Sequence, residues 1–196
     1  MPYGNLVEKC QPVRLLLTDV DGVLTDGGLY YGEKGDELKK FSVRDGAAAK
    51  LLKEGQFILG ALTSDRSALV QRRLKRIGFD FLYYGISDKL AVVERIREEL
   101  SLGAQEIAYI GDEINDLPLI GNVGFFMTVL DGNPVLRKKA DCVLKVKGGE
   151  GALREAAVLL LRSKGCFETT LEKSIQADRQ NEDPNTLIQK FLRFRE

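Results

Sequence analysis

The 196-residue chain contains no histidine. That absence excludes Ser-His and Cys-His nucleophile pairs and histidine-based metal sites, so any chemistry falls to Asp, Glu, Lys, Arg, Ser and Thr. Cysteine is sparse. Cys10, Cys142 and Cys166 are odd in number and show no CxxC spacing, so they read as reduced thiols rather than a disulfide frame or a zinc site. No apolar run approaches the roughly 18 residues of a spanning helix, and the amino terminus lacks a charged-then-apolar leader. No membrane partner and a cytoplasmic location are the expectation. Net charge is absent as well, because 29 Lys and Arg balance 29 Asp and Glu. That balance argues against nucleic acid as the main partner and favours a small ligand. There is no low-complexity tract, and 44% hydrophobic with 30% charged residues suits a folded domain of ordinary size with a short appendage.

What is present is organised around residues 15–26, an apolar run that ends in Asp19-Val20-Asp21-Gly22. A strand that delivers two carboxylates into a turn places them where ligands bind in a parallel α/β sheet, at the carboxyl ends of the strands. Two adjacent acids at such an edge call for a cation or a shared proton. Read alone, the same four residues also fit an ordinary turn or helix cap.

Residues 1–12, broken by Pro2, Gly4 and Pro12, form a short lead-in that packs loosely or touches a neighbour. Residues 13–19 are the first strand, apolar on both faces as a central parallel strand should be. Residues 29–31 and 37–41 flank a Gly32-Glu33-Lys34-Gly35 turn and predict a β-hairpin, either a surface flap or an edge that pairs with other subunits. A helix follows Asp45-Gly46. The next strand, 57–62, closes on Thr63-Ser64-Asp65-Arg66, where Thr63 reads as a helix cap or as an anion-binding hydroxyl. The helix after it carries Arg72, Arg73, Lys75 and Arg76 mostly outward.

A third strand, 81–84, leads to Asp88-Lys89. Lysine in the first turn of a helix opposes the macrodipole unless an anion accompanies it. A fourth strand, 107–110, ends in Gly111-Asp112-Glu113-Ile114-Asn115-Asp116, the second acidic strand end. Magnesium takes one or two carboxylates and keeps its other positions for water and phosphate; Asp19 and Asp112 offer that pair. Strands at 123–129 and 142–146, a short helix at 134–139 and a helix after Gly148-Gly149-Glu150-Gly151 complete a β-α series. The order predicts an α/β fold, a Rossmann-like three-layer α/β/α sandwich with a mostly parallel central sheet and a projecting β-hairpin. The expected division is a lead-in at 1–12, one domain at 13–165 and an extension at 166–196. The extension reads as polar over 167–183 and as an amphipathic helix over 186–194 that docks on its own core or crosses an interface.

Four separated elements, Asp19-Val20-Asp21-Gly22-Val23, Thr63, Lys89 and Gly111-Asp112-Glu113-x-Asn115-Asp116, together resemble the haloacid dehalogenase superfamily of phosphohydrolases. The run Val23-Leu24-Thr25-Asp26-Gly27-Gly28, the hairpin, Phe41-x-Val43-Arg44-Asp45-Gly46 and Gly148-Gly149-x-Gly151-x-x-Arg154-Glu155 extend the likeness to its capless subgroup, which includes the 3-deoxy-manno-octulosonate 8-phosphate phosphatases. The likeness covers about residues 13–162, with no insertion large enough for a cap domain. It implies a magnesium-dependent phosphatase of a phosphorylated sugar acid, with Asp19 as nucleophile and Asp21 as acid and base. Asp19, Asp21 and Asp112 would hold the metal, Thr63 and Lys89 the phosphoryl oxygens, and Asn115 and Asp116 would orient them. It further implies a homotetramer built on a barrel of hairpins. Asp45, Gly46, Ser64, Asp65, Arg66 and Arg76 are the candidate substrate contacts.

Thr63-Ser64-Asp65-Arg66 departs from the subgroup's usual threonine followed by Gly-Arg. Asp65 with Arg76 resembles instead the acid-plus-base pair of a related phosphatase acting on a nine-carbon ulosonate 9-phosphate. Similar capless domains also occur as oligomerisation modules attached to acylneuraminate cytidylyltransferases. A scaffold of that kind would not need Asp19, Asp21, Lys89 and Asp112 together.

Overall fold

The structure, a computed structural model, describes residues 3–33 and 37–181. Its centre is a six-stranded, wholly parallel sheet in the order β5-β4-β1-β6-β7-β8. The strands are β1 (Leu15–Thr18), β4 (Ile58–Thr63), β5 (Phe81–Tyr84), β6 (Ile107–Gly111), β7 (Phe125–Thr128) and β8 (Cys142–Val143). A separate antiparallel hairpin is made by β2 (Tyr30–Tyr31) and β3 (Glu37–Leu38), as the turn-flanked runs predict.

Strand alternation divides the apolar residues between two cores. Leu16, Leu59, Ala61, Ala108, Ile110, Phe125 and Met127 share one face with α2 (Val43–Glu54), α3 (Ala68–Arg76) and α6 (Ala152–Ser163). Leu15, Leu17, Leu62, Ile107, Tyr109 and Phe126 share the other with α4 (Lys89–Leu100) and α5 (Pro134–Lys139). Helices on both faces of a parallel sheet give the expected three layers, with the strands' carboxyl ends along one edge. Among the described residues no cap domain interrupts the series; the segment between β1 and α2 holds only the hairpin.

Both ends differ from expectation. Instead of a loose lead-in, the chain opens with helix α1 (Tyr3–Cys10), which packs on α6. Cys10 is wholly buried, Lys9 pairs with Asp141 at 2.5 Å and Gln11 donates to the Ser163 carbonyl at 2.6 Å. Proline and glycine at its start mask an eight-residue helix that is stabilised by docking rather than by propensity. The stretch after Gly165 is also helical, as α7 (Phe167–Asn181), with Thr170 buried and the helix resting on α2 and α6. Its apolar positions are too few to announce a helix from sequence. The amphipathic helix expected over 186–194 lies outside the described residues.

Candidate active site

Central strands β1 and β6 run side by side, with Thr18 opposite Ile110, so the residues that follow them emerge together. Asp19 is buried and its N–H donates to the Ile110 carbonyl at 2.9 Å. Lys89, the first residue of α4 and likewise buried, donates to Asp19 Oδ2 at 2.7 Å and to Asp116 Oδ1 at 2.5 Å. The lysine that opposes the helix dipole is therefore accompanied by two carboxylates. Asp116 sits in the 3-10 turn Ile114–Leu119 and also accepts from the Tyr109 hydroxyl at 2.7 Å and the N–H groups of Asp112 and Glu113 at 3.0 and 3.3 Å.

The electrostatics follow from three acids sharing one ammonium. Burial, opposed by Lys89, pushes the Asp19 carboxyl up to about 6. Burial together with the charges of Asp19 and Asp116 pushes Asp112 up to about 8. For Lys89 burial acts downward, yet the Asp19 and Asp116 charges prevail and hold the ammonium above its usual value. Oxygens of Asp19, Asp112 and Asp116 lie within 4.8 Å of one another, and Asp112 Oδ1 is buried with no hydrogen-bond partner among the described residues. Asp116 accepts four hydrogen bonds, whereas Asp19 accepts one on each oxygen, from the Val20 N–H and Lys89, and so keeps lone pairs for a cation beside Asp112. An excess of hard oxygen donors around an unpartnered carboxylate oxygen fits magnesium. Gly22 makes the approach possible: at φ +81°, a Cβ there would lie 2.0 Å from Asp112 Oδ2.

A cavity of about 280 Å³ opens over these groups, lined by Asp19, Asp21, Thr63, Ser64, Asp112 and Asn115 among others. Thr63 is buried at the end of β4 and does not cap α3. Ser67 does that, accepting from the Leu69 N–H, because the chain needs four residues of turn before the helix begins. Thr63 Oγ1 instead accepts from the Asp65 N–H at 3.0 Å. The Asp21 carboxylate is bound through both oxygens by Lys39, at 2.8 and 2.9 Å, and the same ammonium bonds Asp65. Lys39 was not legible as a site residue, although alternation along the hairpin strand, with Leu38 outward, was the available signal. Tyr109, read only as a core strand residue, contributes its hydroxyl.

Five of the six candidate substrate contacts do not line this cavity. Asp45, in the first turn of α2, is buried against α6, where its carboxylate accepts from the Arg154 N–H at 3.2 Å. An acid at a helix N-terminus has this structural use, and Asp45 does not line the cavity. Gly46 faces Ile77 and Arg73. Arg66 is exposed and packs over Gly85, while Arg76 lines an open groove with Lys50 and Lys53 between α2 and α3. Ser64 lies at the cavity wall, and Asp65 stands behind it on Lys39.

The family model for haloacid dehalogenase-like hydrolases matches residues 31–124. The 3-deoxy-D-manno-octulosonate 8-phosphate phosphatase KdsC of Escherichia coli (strain K12) is 37% identical over 172 residues, spanning 88% of this chain and 92% of that protein. The chain belongs to the haloacid dehalogenase-like hydrolases. Solved structures similar to this hydrolase include the 3-deoxy-D-manno-octulosonate 8-phosphate phosphatase of Yersinia pestis, with a TM-score of 0.82 and 37% identity, covering 84% of this chain and 89% of that one. The Moraxella catarrhalis phosphatase of the same name, in complex with a magnesium ion, a phosphate ion and KDO, has a TM-score of 0.84 and 33% identity over 87% of this hydrolase and 98% of that chain. The resemblance read from the acidic strand ends is thus borne out, and so is the three-layer fold without a cap.

Proposed function

We propose that this hydrolase removes phosphate from a 3-deoxy-2-ulosonic acid phosphate, with 3-deoxy-D-manno-octulosonate 8-phosphate as its substrate. The observation that carries the reading is the unpartnered Asp112 oxygen facing Asp19 in a cavity that Thr63 and Asp21 share. Asp19, Asp112 and the Asp21 backbone would hold magnesium, which supplies positive charge that offsets repulsion between carboxylate and phosphate. Asp19 attacks phosphorus in line and the bond to the sugar oxygen breaks, as Asp21 gives that oxygen its proton. Water then attacks the aspartyl-phosphate, loses a proton to Asp21 and releases phosphate and free Asp19. Lys89 and Thr63 bind phosphoryl oxygens, while Asp116 fixes Lys89, and Asn115 completes the cavity wall.

The same reading makes the protein a cytoplasmic homotetramer. Leu29, Tyr30, Tyr31 and Leu38 are exposed along the hairpin, a concentration of apolar surface that pairing would cover. Arg66 and Arg76, which do not line their own cavity, would meet a neighbour's substrate carboxylate in such an assembly. The 166–196 segment stays an extension to the 13–165 unit.

A second substrate is favoured by Asp65, which with Ser64 stands where the octulosonate enzymes usually carry Gly-Arg. An acid there suits the nine-carbon ulosonate 9-phosphate. The test is phosphate release with magnesium from both sugar acid phosphates, by the wild type and Asp19→Asn. The eight-carbon ester is expected to give the higher kcat/KM, and the variant to lose at least about a thousandfold. A preference for the nine-carbon ester would reverse the substrate assignment, and an active variant would remove Asp19 from its role.

A further inference from the structure

Lys39 occupies the point at which the hairpin meets the catalytic acids. The isolated bridge between Thr25 and Phe41 closes the base of the hairpin, and Leu38 faces solvent, so alternation turns the next side chain inward. The Lys39 side chain is only 3% exposed, against 36% for Asp21 and 19% for Asp65. Its ammonium grips both oxygens of Asp21 and reaches Asp65. Asp65 is itself fixed, its Oδ1 accepting from the Ser67 N–H at 2.8 Å and its own N–H donating to Thr63. A continuous line of polar contacts therefore runs from the phosphate-site threonine through Asp65 and Lys39 to Asp21.

Asp21 has little else to set its orientation. The Thr25 hydroxyl donates to Asp21 Oδ1 over a long 3.3 Å, and the same oxygen of Thr25 serves the N–H groups of Gly22 and Gly27. A general acid must lie within hydrogen-bond reach of the atom it protonates, and a small misplacement lowers the rate steeply. Ordering a long lysine side chain also costs conformational entropy, which a solvated surface pair rarely recovers. Seclusion of the ammonium and two fixed acids make this site different from such a pair.

We propose that Lys39 is the residue that positions Asp21 for proton transfer to the leaving oxygen, with Asp65 anchoring Lys39 from the opposite side. The inference rests on the phosphatase reading above. It also predicts a dependence on the leaving group that a merely structural lysine lacks. A sugar alcohol leaves poorly as an alkoxide and needs the Asp21 proton, whereas nitrophenolate leaves without one.

The experiment compares full-length wild type, Lys39→Met, Lys39→Arg and Asp65→Asn, with magnesium, in the first turnover of 3-deoxy-D-manno-octulosonate 8-phosphate and of p-nitrophenyl phosphate. For Lys39→Met the sugar ester is expected to slow by about thirtyfold or more and the aryl ester by less than about threefold, with KM for the sugar ester little changed. Lys39→Arg recovers part of the loss, and Asp65→Asn shows the same selectivity at smaller size. Equal losses on both esters overturn the proposal, and so does a raised KM at unchanged kcat, because Lys39 then supports the fold or binds substrate. Should Lys39→Met lack a cooperative thermal transition, the other two variants decide by the same criterion. A wild type that hydrolyses neither ester overturns the phosphatase reading first and the positioning role with it.

Discussion

Two lysines in this molecule each bind two aspartates, and they do so in different settings. Lys89 lies with Asp19 and Asp116 under the sheet edge, each of the three nearly or wholly excluded from solvent. Lys39 comes from the hairpin and holds Asp21 and Asp65, both partly exposed. The first cluster is assembled by neighbouring parallel strands and the first turn of one helix, so its geometry is inherited from the core. The second depends on a short hairpin whose apolar residues face outward. On the proposed mechanism, the difference would separate the groups that meet phosphorus from those that handle the proton: the core would serve the first and the exposed hairpin the second.

The largest expected effect comes from breaking the buried cluster. Lys89→Met leaves Asp19 and Asp116 buried without their cation, and removing one partner of a buried pair costs about 3 to 5 kcal/mol. Chemical denaturation without added metal should show a loss of that size. Lys39→Met, whose acids are partly exposed and reach water, should lose less, about 1 to 2 kcal/mol. Similar losses in the two variants would erase the distinction between the clusters.

Asp45 sharpens the comparison from a third position, as a buried acid without a lysine on it. Burial pushes its carboxyl up to about 6, against the N–H groups of Arg154 and Leu153 and the Arg73 charge, and its Oδ2 has no hydrogen-bond partner among the described residues. A raised folded value means that its contribution to stability is complete below the unfolded value of 3.8 and is lost as pH rises through about 6. Asp45→Asn should therefore gain on the wild type between pH 4 and pH 7, by up to about 3 kcal/mol. Denaturant midpoints across that range measure the gain. A constant difference between the two proteins would show that the Asp45 carboxyl is not displaced.

Much of the layout was legible because strands bury both faces and announce themselves as apolar runs. The strand Phe81–Tyr84 and the helix Pro134–Lys139 have the bounds that their residues predict. Lys89 was legible as a lysine in need of an anion, since its position at a helix start conflicts with the dipole. Helices α1 and α7 were not: Pro2 and Gly4 at its start obscure the first, and the second carries few apolar residues among many polar ones. Thr63 misled as a cap because sequence does not reveal how many turn residues separate a strand from its helix. Lys39 was hidden by the charged run around it, in which Lys40 is exposed and Lys39 is not.

The central claim is that Asp19 itself takes the phosphoryl group. Asp21→Asn, expected to slow hydrolysis of the intermediate, is quenched during reaction with magnesium and p-nitrophenyl phosphate, whose leaving group needs no proton from residue 21, reduced with borohydride and analysed by peptide mass spectrometry. Reduction of an aspartyl-phosphate at this site converts position 19 to homoserine, which is the predicted result. Homoserine at another aspartate, with Asp19 unchanged, would contradict the account.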